Sequence, residues 1–335
     1  MTHRGEALLT TTRGSLVETE HYGHIVVTTA RGDILYKKGN AHHVTYFRSA
    51  AKPIQALEVI LSGAHQQFGF TDAELSIMCA SHYGEKYHRE TVLSILKKIG
   101  LTKSDLKCGK TTSLNNDYAI EMALKGYGAD ELFNDCSGKH AGFLAVCKAK
   151  NYDTTSYILP DHPLEQQLTK LIGQACNYST SEIIIGIDGC GVPVHGMPLF
   201  NMALGFANLS KPTETNTIPA EAATIITRAM ANHPEMLSGT GGFCSALTKV
   251  TNGRLFGKIG AEAVYCVGNT ETGQGLAIKL TDGNLWKLAP IVMRTLEILN
   301  WLRDDEILEL RDFRKIANKN KHNTIVGYTE AADIT

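Results

Sequence analysis

The chain has 335 residues, enough for a large core in one big domain or two closely joined lobes. Charged residues make up 20% and nearly cancel, to a formal net charge of -1, which argues against a nucleic-acid or membrane-surface partner. No apolar run approaches the ~20 residues needed to cross a bilayer. Met1-Thr2-His3-Arg4-Gly5-Glu6 holds no apolar signal core. The eight cysteines form no CxxC pair and no dense framework, so a cytoplasmic chain with reduced, mostly buried thiols is expected.

Residues 14 to 47 predict antiparallel strands at 15–18, 24–29 and 34–36, parted by glycine turns such as Arg31-Gly32-Asp33. Val44-Thr45-Tyr46-Phe47 then gives way to Arg48-Ser49-Ala50-Ala51-Lys52-Pro53, with apolar residues at helical spacing through Leu61. Ser49 and Lys52 stand three apart and would share a helix face. A lysine placed there can take the serine's proton if its own pKa is lowered. The same residues also read as a helix-capping serine and a solvated lysine. Pro53 disfavours helical backbone at Lys52 and has no N–H, so a distorted or 3₁₀-like first turn is expected.

From there to about residue 250 the pattern is mainly helical. Thr71-Asp72-Ala73-Glu74 is a capping box, opening a short helix that ends near Ser81-His82-Tyr83-Gly84. Helices follow at 88–98, with Gly100 as C-cap, and at 116–125. Asp135-Cys136-Ser137-Gly138-Lys139-His140 leads into an apolar helix, and 163–176 is helical. Residues 182–187 read as a plainly buried strand running into the irregular turn Asp188-Gly189-Cys190-Gly191-Val192-Pro193. Helices at 199–209, 220–232 and 245–250 precede strands at 255–260, 263–267 and 276–280, and a closing helix at 289–302. Strands at both ends around a helical block predict an α+β fold, with one antiparallel sheet built from both termini. In a single domain over 1–335, the sheet lobe would take about 1–48 and 250–335, and an inserted helical lobe about 49–249.

Four stretches break local rules and are where function is expected: Arg48-Ser49-Ala50-Ala51-Lys52, Ser81-His82-Tyr83-Gly84-Glu85, Cys136-Ser137-Gly138-Lys139-His140 and Asp188-Gly189-Cys190-Gly191. Lys258-Ile259-Gly260 on a C-terminal strand is a fifth. Ser-x-x-Lys at a helix start, a second Ser, and Lys-x-Gly on a strand form the pattern of penicilloyl-serine hydrolases and transferases. Each piece also reads blandly: Ser81 as a helix cap, Lys258 as an exposed strand lysine, His82, His88 and His140 as hydrogen-bonded structural histidines. Cys136 and Cys190 lie too far apart for a zinc finger and by themselves read as buried thiols.

Together with Val17-Glu18 and His24, Cys79-Ala80 before Ser81, and Gly257-Lys258-Ile259-Gly260-Ala261-Glu262, these strings resemble the serine–lysine asparaginases of the thermolabile, rhizobial type, the asparaginase II family. The resemblance runs from about Arg13 to Leu280. It implies a fold similar to serine β-lactamases and glutaminases, a homodimer, and two Ser–Lys pairs, Ser49 with Lys52 and Ser81 with Lys258. It further implies zinc on Cys136, Lys139 and Cys190, and substrate contacts from Arg48, Asp188 and His140. Asp135 and Asn40 depart from the family strings, which have Asn before the cysteine and Asp after the glycine.

The implied reaction is hydrolysis of L-asparagine to aspartate and ammonia. Ser49 would form an acyl-enzyme, with Lys52 as base and Ser81 relaying a proton to the leaving ammonia. Burial and the nearby Lys258 ammonium are expected to lower Lys52. Asp188 would take the α-ammonium, and backbone N–H groups after Ser49 are candidates for the oxyanion hole. Two rivals stand beside this reading: a glutaminase or other β-lactamase-like amidase, and a non-catalytic zinc- or amino-acid-binding protein.

Overall fold

In the computed structural model, residues 4–215 and 217–334 are described; Met1, Thr2 and His3, part of the stretch read for a signal core, lie outside them. Residues Gly23 to Thr28 run as Gly, His and four β-branched residues, and all are buried, as in a strand covered on both faces. They form the inner half of β2 (Leu16–Thr29), which follows β1 (Glu6–Arg13) and precedes β3 (Ile34–Lys38) and β4 (Val44–Tyr46). The middle of the chain adds β5 (Ile184–Ile187) and β6 (Pro193–Pro198). The C-terminal part supplies β7 (Leu255–Gly260), β8 (Val264–Asn269), β9 (Gln274–Leu280), β10 (Lys315–Lys319) and β11 (Ile325–Ala331).

The main sheet is antiparallel in the order β10-β11-β1-β2-β9-β8-β7, with β3 beside β2. Chain ends therefore meet twice, at Leu9 opposite Ala331 and at Val26 opposite Ala277. This is the expected α+β arrangement, a sheet built from both ends of the chain with helices between. Helix Leu199–Ser210 packs on β9, β2 and β8. Gly275 makes that approach possible, since a Cβ there would meet the Ala203 carbonyl oxygen at 2.0 Å. In the helical part, Asp72–Met78 packs against Lys86–Lys98, Ser137–Lys150 and Ala220–Asn232. Its capping box forms as predicted, with Thr71 accepting from the Glu74 N–H and Glu74 accepting from that of Thr71.

Two expectations need correction. The isoleucine run read as buried is an edge strand: β5 pairs only with β6 in a small β4-β6-β5 sheet, and Ile184, Ile185 and Ile187 are 52%, 42% and 61% exposed. Helix 289–302 does not close the chain either, because helices Asp304–Glu309 and Arg311–Arg314 and strands β10 and β11 follow it. Among the described residues no helix is long and apolar enough to cross a membrane.

Candidate active site

The chain leaves β4 with the Phe47 N–H on the His195 carbonyl (2.8 Å) and enters a 3₁₀ turn over Arg48–Ala51, then helix Lys52–Gln55. Pro53 sits in that helix's first turn, where a missing N–H costs nothing. The tight turn is the one the proline predicted. Arg48 holds φ +51°, a left-handed conformation uncommon outside glycine. Strand β7 runs against this turn, since a Cβ on Gly260 would lie 3.0 Å from the Phe47 oxygen and 3.2 Å from the Ala50 nitrogen. The Ala50 N–H, a candidate oxyanion donor by sequence, is engaged with the Phe47 carbonyl at 3.2 Å.

Lys52 does not turn back to Ser49. Its Nζ donates to the Ala80 carbonyl at 2.7 Å and to Ser81 Oγ at 3.1 Å, and lies 3.4 Å from Asp135 Oδ2. From the other side Lys258 Nζ donates to the same Ser81 Oγ at 2.7 Å and to the Ile259 carbonyl at 2.6 Å. Lys52, Ser81 and Lys258 are all buried, so Lys258 is no exposed strand lysine. Ser81 is fixed in turn by its N–H on the Leu237 carbonyl, 3.0 Å.

The electrostatics reverse the expected roles of the lysines. Burial would lower Lys52, but the single negative charge of the Cys136–Cys190 pair and the Asp135 carboxylate outweigh that and hold it above the ordinary lysine value. Burial, and then the Lys52 ammonium, push Lys258 down to about 8. The lysine poised to lose its proton is therefore Lys258, not Lys52.

Ser49 and Ser81 open onto one cavity of ≈ 370 Å³, whose wall also includes Arg48, Asp135 and Asp188. Ser49 is half-buried, and its hydroxyl makes no hydrogen bond among the described residues. Arg48 Nε and Nη2 both donate to Asp188 Oδ1, at 2.9 and 2.8 Å, and the Gly189 N–H joins them at 2.8 Å. The Asp188 ammonium acceptor of the sequence reading is thus one half of an ion pair with Arg48.

Behind the serines, Cys136, Lys139 and Cys190 come together. Lys139 Nζ donates to Cys190 Sγ at 3.0 Å, and Cys136 Sγ donates to Asp135 Oδ2 at 3.6 Å. The neighbouring Cys136 thiol, and then the Lys139 ammonium, favour a thiolate on Cys190 and lower it, whereas Cys136 is raised. His140 donates or accepts at Nδ1 with the Tyr157 hydroxyl, 2.7 Å. Its Nε2 is buried, and the nearest polar group acting on it is the Cys190 sulfur. Two sulfurs and an amine gathered beside a buried imidazole nitrogen fit a zinc ion by chemistry and burial. Among the described residues no three His, Cys, Asp or Glu side chains form a metal cluster, so such a site would depend on its lysine.

His82 and His88 are structural: the former bonds Ser137 Oγ (3.0 Å) and the Gly84 N–H, the latter the Glu85 N–H and the Glu235 carbonyl. Sequence reasoning missed the contact of Asp135 with Lys52. The only signal was its departure from the family string, since an aspartate before a cysteine has no spacing rule.

A hydroxyl held between two buried lysines, beside an open pocket with an ion pair in its wall, is the equipment of an amide-hydrolysing enzyme. The chain belongs to the L-asparaginase II family, whose model matches residues 9–331. No curated protein matches it by sequence. Solved structures similar to it include a β-lactamase from Mycobacterium bovis, at 13% identity over 82% of this chain and 94% of that one, TM-score 0.43. A D-alanine carboxypeptidase AmpC from Burkholderia cenocepacia matches at 14% identity over 84% and 94%, TM-score 0.38. Mglu, in its native form in concentrated salt, matches at 13% identity over 84% of this chain and 61% of that one, TM-score 0.39.

Proposed function

We propose that the protein hydrolyses the side-chain amide of L-asparagine to L-aspartate and ammonia through a seryl acyl-enzyme. The observation that carries this reading is the Lys258–Ser81–Lys52 contact set, at 2.7 and 3.1 Å, in the wall that also holds Ser49. Ser49, the more accessible serine, attacks the carboxamide carbon. Its proton passes through Ser81 to Lys258, the lysine that is neutral in part at physiological pH, and returns to the departing nitrogen. Lys52 keeps its proton and supplies a fixed positive charge to the developing oxyanion. The direct contact of Ser81 with both lysines favours a second reading, in which Ser81 is itself the nucleophile.

Arg48 and Asp188 lie side by side, a template for a zwitterion. Arg48 Nη1 and Asp188 Oδ2 take no hydrogen bond among the described residues, which leaves them for the α-carboxylate and α-ammonium. Gripping those groups fixes the distance to the carboxamide, so glutamine's extra methylene displaces the reacting carbon from Ser49. A misplacement of about 1 Å costs on the order of a hundredfold.

Cys136, Lys139 and Cys190 would hold zinc, with His140 beside them. When bound, the ion would supply a Lewis acid or a fixed point for orienting substrate. A cytoplasmic homodimer completes the reading on the family resemblance. Ammonia release from asparagine, measured beside glutamine and a chromogenic β-lactam, tests the proposal. A preference for asparagine of about a hundredfold or more is expected. Turnover of glutamine or the β-lactam alone would assign the site to a rival amidase, and turnover of none to a binding protein.

A further inference from the structure

The cavity is larger than the amino acid assigned to it. At ≈ 370 Å³ it falls within the ~300–1,000 Å³ typical of sites for drug-sized ligands, more than free asparagine fills. Its wall holds two kinds of chemistry. One is the Arg48–Asp188 ion pair, next in sequence to Ser49. The other is Leu114, whose neighbour Ser113 is hydrogen-bonded to the segment after Ser81. Ser113 Oγ donates to the Tyr83 carbonyl at 2.5 Å, two residues beyond Ser81, and the Asn115 N–H closes on Ser113 Oγ at 3.0 Å. Ser81 and Tyr83 are tied down by their own N–H groups, on the Leu237 and Ser238 carbonyls. Leu114 is therefore tied to the segment after Ser81, lining the cavity and 41% exposed.

With the α-groups at Arg48 and Asp188 and the carbonyl carbon at Ser49, the amide nitrogen points toward Ser81, the group that must protonate it. A substituent on that nitrogen continues toward Leu114. We propose that the protein also hydrolyses secondary β-amides of aspartate, asparagines carrying an apolar alkyl or aryl group on the side-chain nitrogen, with that group lying on Leu114. This rests on the seryl-hydrolase reading above and names a wider substrate class for the same site. Ser49 Oγ bonds to the carbonyl carbon as the C–N bond breaks, and the seryl proton passes by way of Ser81 to the nitrogen, which leaves as a primary amine. Water then cleaves the ester: its oxygen enters the aspartate carboxyl and a proton returns to Ser49.

The test uses N4-benzyl-L-asparagine beside L-asparagine on the full-length protein, with benzylamine and ammonia measured separately. Benzylamine and ammonia are of similar basicity, so a difference in rate reports on the pocket rather than on the leaving group. A kcat/KM for the benzyl amide within about tenfold of that for asparagine is expected, since a hydrophobic wall discriminates on that order. Leu114→Asn, at a partly exposed position, should lower benzylamine release on the order of tenfold and leave ammonia release from asparagine unchanged. Leu114→Trp, which fills the same space, should have the same selective effect. Asparagine cleaved without the benzyl amide overturns the wider substrate class and leaves the seryl-hydrolase reading standing. Equal losses on both substrates in the two variants also overturn it, because the wall would then not touch the substituent. Cleavage of neither amide by the wild type removes the hydrolase reading and this proposal with it.

Discussion

Lys52 and Lys258 touch the same hydroxyl, yet their surroundings drive them in opposite directions. The Cys136–Cys190 pair and Asp135 stabilise a charge on Lys52, whereas Lys258 lies in a strand with Lys52 as its principal charged neighbour. A base works only when neutral, so kcat/KM should rise about tenfold per pH unit below ~8 and level off above it. The pH profile of asparagine hydrolysis checks this, and a flat profile between pH 6 and 9 would remove Lys258 from the role. Asp135 raises both lysines, so Asp135→Asn should move that acid limb to lower pH; an unmoved limb would show the carboxylate to be a bystander. Ser49→Ala should remove nearly all turnover and leave the fold intact. Should it retain more than about a hundredth of the wild-type rate, beyond the loss expected for an auxiliary group, Ser81 becomes the nucleophile.

Elements with local punctuation were legible. The Thr71 capping box and Pro163 mark helix starts, and the glycine turns near residue 32 mark strand ends, because caps and turns act over three or four residues. β1 was missed since Glu6–Arg13 is half polar and only Leu8 and Leu9 are buried; its strand character comes from β2 and β11 on either side. Lys315–Lys319 has no apolar run, and β10 forms because β11 offers an edge to pair with. The β5 misreading has the opposite cause, since an isoleucine run looks buried whether or not anything covers it. The contact of Lys258 with Ser81 cannot be read from spacing at all, and was expected only from the family resemblance. The closeness of β7 to the Arg48–Ala51 turn brings the strand that carries Lys258 beside Ser49. Gly260→Ala should force the two apart by a few tenths of an ångström and lower kcat by roughly tenfold to a hundredfold, by the cost of misplacing reacting groups. Kinetics beside a thermal melt checks this. A large fall in Tm with unchanged kcat would mean that only stability depends on the approach.

For the whole molecule, purified protein should carry about one zinc per chain by elemental analysis, on the chemistry of its thiol–amine corner. Cys136→Ala and Cys190→Ala should each lose it; zinc surviving in the double variant would place its ligands elsewhere. Sedimentation should give twice the chain mass, with the exposed β5 edge as the surface proposed for the contact. Ile185→Lys with Ile187→Lys should then yield the chain mass, and an unchanged dimer would put the contact on another face.

Ser81 and Lys258 stand 177 positions apart, and β2 lies between a strand from its own end of the chain and one from the other. At ~5–20 residues per second, a ribosome needs roughly 9–35 s to pass from one to the other. Throughout that interval the growing chain holds its serines without the amine proposed to take their proton. Birth of the enzyme is therefore abrupt: nascent chains stalled before β9 should cleave nothing, and activity should appear only once the late strands have emerged to close the sheet. A stalled fragment ending near residue 250 that released ammonia from asparagine would show that Lys52 alone suffices. Otherwise, an unfinished copy is harmless to the amides around it.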